Sequence, residues 1–192
     1  MASGVPLEAL VQRVAEGDEG AMADLVRALR PRVLRFLQQL GAHCDAAEDL
    51  CQETFLRLWL ARERYQPEAK LTTFVLKIAY RCYLNWRESA GHRREVSDNA
   101  AAERLVEPSR NPEEWILAAY RRRQIRDAID ALPDGQREVF QMAHLDQMPY
   151  AEIAEILGVP VGTVKSRMWS AVRFLRLRLR DPLEIRERMG EG

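Results

Sequence analysis

The sequence predicts an all-α protein: two helical domains joined by a flexible acidic linker. Three observations carry this. Apolar residues recur at spacings of three and four through most of the chain, with no strand alternation and no internal repeat. Leu, Ala, Arg and Glu dominate, and these side chains keep most of their rotamer freedom in a helix. The tract Glu95 to Asn111 is acidic and poor in apolar residues, with Ser97, Asn99, Pro108 and Ser109, as a linker is. The expected divisions are 1–94, a linker at 95–111, and 112–192. The chain has 192 residues, 47% hydrophobic and 30% charged, enough for two small globular units.

Element by element, Leu7, Leu10, Val11 and Val14 form a first helical stripe, and Met22, Leu25, Val26 and Leu29 a second. Gly17 and Gly20 interrupt them, with Asp18 as the expected cap. Pro31 is expected to limit or kink the second helix, after which Val33, Leu34, Phe36, Leu37 and Leu40 continue the stripe to Gly41. Asp45 begins a helix to about Tyr65, with acids in its first turn where the macrodipole favours them. Tyr65 to Lys70 reads as a loop. Thr72 or Thr73 caps a helix from Phe74 to about Ser89. Beyond the linker, Asn111 and Pro112 open a helix to Leu132. Pro133-Asp134-Gly135 reads as a turn, followed by helices at about Gln136–His144, Tyr150–Leu157 and Val161–Leu179.

Formal net charge is zero, but it is a cancellation. From Val161 to Arg180 every charged residue is basic: Lys165, Arg167, Arg173, Arg176, Arg178 and Arg180. From Glu95 to Glu114 six acids stand against Arg104 and Arg110. Local fields, not the total, attract a partner.

The segment Tyr150 to Met168 reads as a helix-turn-helix. Two steeply crossing helices need a small residue at their contact, which Ala154 supplies, and the turn needs a left-handed residue, which Gly158 supplies. Ile153, Leu157, Val159, Val164 and Met168 fall at inward positions; Pro160 ends the turn and Thr163 lies in the first turn of the second helix. The outward positions offer Lys165, Ser166, Arg167, Ser170 and Arg173, donors suited to guanine edges and phosphates. A solvated basic hairpin would not require these small and apolar residues at these spacings together.

In the front half, Asp45 to Trp59 is amphipathic: Leu50, Phe55, Leu58 and Trp59 can face a core, while Asp45, Glu48, Asp49, Gln52 and Glu53 crowd one end. Arg57 to Arg94 is basic, with Tyr65, Phe74, Tyr80, Tyr83 and Trp86 interleaved, as a single-strand binder requires. Most of these aromatics also suit a core, and Phe74 and Tyr80 are expected there. From the residues alone, a stand-alone helix-turn-helix regulator and a helical interaction protein both stay open.

These motifs resemble the sigma-70 family. The helix Glu48-Asp49-Leu50 … Gln52-Glu53 … Phe55-Leu56-Arg57-Leu58-Trp59, the Thr72-Thr73 turn before Phe74-Val-Leu-Lys-Ile-Ala79, and the basic Gly91-His-Arg-Arg94 end look like region two. Leu132 to Phe140 followed by Tyr150 to Arg167 looks like region four. Two such domains with a short linker resemble the extracytoplasmic-function (ECF) group, over about Leu7 to Leu179.

The resemblance implies a promoter-specificity subunit of RNA polymerase. Asp45, Glu48, Asp49, Gln52, Glu53 and Leu56 would dock on core polymerase. Tyr65, Lys70, Thr72, Thr73, Lys77, Arg81, Asn85, Trp86 and Arg87 would open and read the minus-ten element. Thr163, Lys165, Ser166, Arg167, Ser170 and Arg173 would read the minus-thirty-five element as duplex. The linker would thread toward the RNA exit path, and an anti-sigma factor would hold activity down. Three departures stand out: Thr73-Phe74 where the family often has Thr-Trp, Arg81 where it often has Asn, and Gln66 to Ala69 in place of a Gly-containing loop. That loop would hold a flipped base, so the preferred minus-ten sequence is not carried over.

No phosphate-binding Gly loop and no metal-spaced Cys/His set appears, so neither enzyme chemistry nor a cofactor is expected. Cys44, Cys51 and Cys82 form no disulfide framework. Cys44 and Cys51 read as small apolar cysteines in a helical domain sooner than as a zinc or redox site with His43. With no signal pattern and no run of about 18 apolar residues, the expected compartment is the cytoplasm.

Overall fold

The computed structural model describes residues 7–62, 70–89, 112–144 and 147–179. Its helices are α1 (Leu7–Ala15), α2 (Glu19–Gln39), α3 (Cys44–Leu60), α4 (Leu71–Ser89), α5 (Pro112–Asp130), α6 (Asp134–His144), α7 (Tyr150–Leu157) and α8 (Val161–Arg178). Among the described residues there is no strand. They fall into two compact units, α1–α4 forming most of one and residues of α5–α8 most of the other. The linker tract and the Tyr65–Ala69 loop lie outside the described residues.

In the first unit α1 closes at Gly17, whose φ of +88° lets Asp18 N–H donate to Arg13 O and Gly17 N–H to Val14 O, both at 3.0 Å. Asp18 then caps α2, its carboxylate accepting from Ala21 N at 2.9 Å. Arg13 grips the same carboxylate from α1 at 2.7 and 2.9 Å. α2 runs through Pro31 without a break, against the expected limit there. Pro31 is exposed, and Leu25, Leu29, Val33, Phe36 and Leu37 are buried on either side of it. Burial of each such side chain contributes roughly 1.5–3 kcal/mol, which together outweighs one lost hydrogen bond.

α2 ends on the same closure at Gly41 (φ +105°), with Ala42 N–H donating to Leu37 O. His43 caps α3, its Nδ1 accepting from Ala46 N at 3.3 Å, so the helix starts one residue earlier than Asp45. α3 buries Leu50, Cys51, Thr54, Phe55 and Leu58 against α2 and α4. Thr54 satisfies its buried hydroxyl by donating to Leu50 O at 2.7 Å. α4 begins at Leu71, before both expected caps; Tyr83 donates from it to Leu40 O at the end of α2.

In the second unit, Ala128 and Leu132 meet Ala171 and Leu175 of α8, with Ile129, Phe140 and Phe174 around them. α6 opens at Asp134 instead of Gln136, because the Pro133 carbonyl already accepts from Gln136 N and Arg137 N at 2.9 Å. Arg137 reaches back to the Asp130 and Leu132 carbonyls, both at 3.1 Å, and also pairs with Asp134. One guanidinium thus closes the α5–α6 corner, where the C-terminal carbonyls of α5 favour a cation.

Candidate nucleic-acid interface

The α7–α8 pair is a helix-turn-helix. Gly158 stands at φ +67°, and Val159 N–H closes α7 onto Ala154 O at 3.1 Å. Ile153, Ala154, Ile156, Val164 and Met168 are buried, while Leu157 and Val159 are half-buried. Pro160, extended at φ −60° and ψ 146°, precedes α8 without a side-chain cap. A side chain added at Gly162 would meet nothing within 4 Å. The first turn of α8 is therefore open to an approaching phosphate, which helix amides favour.

Of the expected duplex-reading residues, Lys165, Ser166 and Arg173 are exposed, and Thr163, Arg167 and Ser170 half-buried. Thr163 O accepts from Ser166 Oγ at 3.0 Å. At about 100° per residue, Ser166, Ser170 and Arg173 share one face, with Lys165 and Arg167 on opposite flanks roughly 200° apart. Arg167 lies against α6: a β-carbon at Gly135 would sit 3.1 Å from its Cζ and 3.2 Å from Nε and Nη1. Trp169, absent from the expected set, lies on the Lys165 side of this face at 64% exposure, with the Arg173 guanidinium 5.4 Å from its ring centre. The spacing Ser166, Trp169, Ser170, Arg173 (i, i+3, i+4, i+7) is the signal that places it there.

On α4, Arg81 and Asn85 are exposed and Lys77 half-buried along one stripe, which exposed Lys70 continues just before the helix. Thr72 and Trp86 are half-buried and turned toward the opposite side. Thr73 is 2% exposed and packs inside the bundle, so its side chain is no surface contact. Arg87 stands over the Tyr83 ring at 5.6 Å, and Trp86 contacts Tyr83 and His43, each at 5.9 Å between ring centres. Phe74 is half-buried and Tyr80 buried. Tyr65 lies outside the described residues.

On α3, Asp45, Asp49, Gln52 and Leu56 are exposed, and Glu48 and Glu53 half-buried beside them. Leu56 is 54% exposed and Leu60, not singled out by the sequence, 70%. Glu48 accepts from Arg30 of α2 at 2.6 Å, and Glu53 from Arg57 at 2.6 Å. The Glu53 hydrogen bond is the main reason Arg57 holds its proton more tightly than usual. Trp59, expected in the core, is half-buried with Arg62 over its ring at 4.6 Å.

Burial pushes the Cys51 thiol up to about 11 and also raises Cys82. Cys44 is exposed. Among the described residues no three His, Cys, Asp or Glu side chains are grouped to hold a metal ion, and no helix is long and apolar enough to cross a membrane.

The family model for Sigma-70 region 2 matches residues 25–93, and that for Sigma-70, region 4 matches residues 122–175. The ECF RNA polymerase sigma factor SigW of Bacillus subtilis is 28% identical over 178 residues, covering 89% of this chain and 95% of that protein. The ECF RNA polymerase sigma factor SigK of Mycobacterium tuberculosis H37Rv is 30% identical over 174 residues, covering 88% and 91%. Among solved structures, CnrH in complex with the cytosolic domain of CnrY shares the fold at a TM-score of 0.64 and 22% identity, covering 89% of this chain and 95% of that one. RpoE with the anti-sigma factor NepR from Bartonella quintana matches at 0.58 and 22%, covering 83% and 98%. The helix-turn-helix of α7 and α8 and the acidic-faced helix α3 thus sit within matched region-four and region-two segments, and the chain belongs to the ECF RNA polymerase sigma factors of the sigma-70 family.

Proposed function

We propose that this chain docks on core RNA polymerase through α3, opens and reads the minus-ten element with α4, and reads the minus-thirty-five element with α8. The observation that carries this is the α3 face: Asp45, Asp49, Gln52, Leu56 and Leu60 stand exposed at helical spacing, while the opposite side is packed into the bundle. Acids with two large exposed leucines suit a protein partner, since apolar area gives affinity and charge gives register. Lys70, Lys77, Arg81 and Asn85 form the strand-facing stripe, Arg87 lies beyond it, Thr72 and Trp86 stand toward the opposite side of the helix, and Tyr65 is a further contact. Ser166, Ser170, Arg173 and Trp169 form the duplex-facing surface, flanked by Thr163, Lys165 and Arg167. The first domain spans 1–94 and the second 112–192, with 95–111 between them.

Activity is held down by an anti-sigma factor, the kind of partner with which RpoE of Bartonella quintana forms a complex. The chain acts in the cytoplasm and catalyses no reaction itself. Run-off transcription with purified core polymerase on a genomic promoter library tests the reading. Discrete transcripts sharing an upstream motif are expected. No transcript, with tight binding of the chain alone to a palindrome, would overturn it in favour of a stand-alone regulator.

A further inference from the structure

We propose that His43 is a positioning residue that holds the polymerase-docking helix and the nucleic-acid end of α4 in register. The inference rests on the roles of α3 and α4 proposed above. His43 sits in the short turn between α2 and α3, extended at φ −67° and ψ 165°. Its Nδ1 accepts from Ala46 N at 3.3 Å, fixing the first turn of α3, which carries Asp45, Glu48 and Asp49. The same ring meets Trp86 edge-on, with centres 5.9 Å apart and planes at 72°. Trp86 lies between Asn85 and Arg87 in the last turns of α4.

Two features make this more than an ordinary cap. Histidine is a poor substitute for Ser, Asp or Asn in satisfying an end amide, so capping alone does not account for an imidazole here. The turn is also held from α4 a second time, by Tyr83 donating to Leu40 O, while Tyr83 in turn contacts Trp86 and lies under Arg87. Tyr83 fixes the backbone of the turn, and the His43 ring adds, to the direct packing of α3 on α4, a contact that joins the first turn of α3 to the last turns of α4. Capping acts on the docking helix; the edge contact acts on Trp86 and the residues beside it.

Two substitutions separate these roles. His43→Asn keeps a capping acceptor and removes the ring; His43→Phe keeps a ring and removes the acceptor. The full chain is measured in two assays: affinity for core polymerase, and, at saturating polymerase, affinity of the holoenzyme for a fork-junction DNA with an unpaired minus-ten strand. The DNA is taken from a promoter mapped by run-off transcription. His43→Asn is expected to bind polymerase as wild type but the fork junction about fivefold more weakly. His43→Phe is expected to bind polymerase about fivefold more weakly but the fork junction as wild type. Parallel loss in both assays for both variants, or no loss in either, overturns the inference. If His43→Phe does not fold, His43→Asn decides alone: unchanged fork-junction affinity overturns the inference. Failure of wild type to bind polymerase or the fork junction would instead refute the underlying reading of α3 and α4.

Discussion

Arg30 of α2 donates to Glu48 Oε2 of α3 at 2.6 Å, so one carboxylate on the acidic face of α3 is already engaged within the bundle. Glu53 is likewise held by Arg57 at 2.6 Å. Both pairs are about half exposed, and such pairs contribute only about 0–1 kcal/mol to folding. They do, however, lower the charge these two acids offer a partner. Asp45 and Asp49, exposed and outside those pairs, are the stronger determinants of docking. Asp49→Arg should weaken core-polymerase binding by on the order of tenfold or more, with the melting temperature unchanged. Glu48→Gln should shift binding far less and stability by under about 1 kcal/mol. Equal binding losses for the two variants would contradict this ranking.

On α8, Trp169 and Arg173 form a stacked pair on the exposed face, and Arg167 flanks it against Gly135. Trp169→Ala and Arg173→Ala should each weaken minus-thirty-five binding, and the double variant should lose less than the sum because the pair acts as one surface. Arg167→Ala should cost about 1–3 kcal/mol, confined to one base pair, if its guanidinium turns from Gly135 to a base edge. Fluorescence anisotropy with a set of single-base variants of the duplex separates the outcomes. A uniform loss for Arg167→Ala on every sequence would make it a phosphate contact.

How much of this was legible in the sequence depended on whether a residue had one physical use. Gly158 and Ala154 did: a left-handed turn and a close helix contact admit few other residues, and both stand where the spacing put them. Asp18 was legible for the same reason, as an acid between two glycines at a helix start. Trp169 was not, because tryptophan on an amphipathic helix reads as core until the neighbouring helices show which arc they cover. Thr73 failed in the opposite sense: a threonine beside a basic stripe reads as surface, yet the helix starts two residues before it and turns it inward. His43 as a cap carries no sequence signal, since imidazole is not among the usual capping side chains and its ring partner Trp86 lies 43 residues away in the chain.

Arg137 closes the α5–α6 corner with two bonds to carbonyls and one to Asp134, and its side chain is only 12% exposed. Arg137→Ala should destabilise the α5–α8 unit by about 2 kcal/mol, since it strands carbonyls that a charged donor satisfies. Arg137→Lys should not restore the loss, because a single ammonium cannot span the same acceptors. Thermal unfolding followed by circular dichroism checks both. A lysine variant as stable as wild type would mean that charge alone suffices.

The Asp18 carboxyl titrates below its ordinary value, chiefly because Ala21 N donates to it and secondarily because Arg13 does. The folded form therefore prefers the carboxylate. Its contribution is fully present above the unfolded Asp value of about 3.9 and is lost as pH falls below that through the folded value. In an acid titration of α1–α2 helicity, wild type should lose stability in this window. Asp18→Asn, which keeps a capping oxygen without the charge, should show a smaller drop there. Identical acid limbs would show that the cap is not the titrating element.

The three cysteines should behave differently toward thiol reagents, and the difference bears on whether Cys44 and Cys51 act as a pair. Cys51 is buried and its thiol is held up to about 11, burial being the largest cause, with Glu48 adding to it and Arg30 opposing. Cys82 is raised by burial as well. Only the thiolate reacts, so both are nearly inert near neutral pH, whereas Cys44 at the exposed start of α3 is open to reagent. The native protein should therefore release about one equivalent of thionitrobenzoate rapidly from Ellman's reagent, and Cys44→Ser should abolish that phase. Denaturant should expose the other two thiols. A fast phase of two equivalents, or one that zinc suppresses, would restore a joint redox or metal role for Cys44 and Cys51. A single fast phase insensitive to zinc leaves Cys51 as a packing residue between α3 and its neighbours.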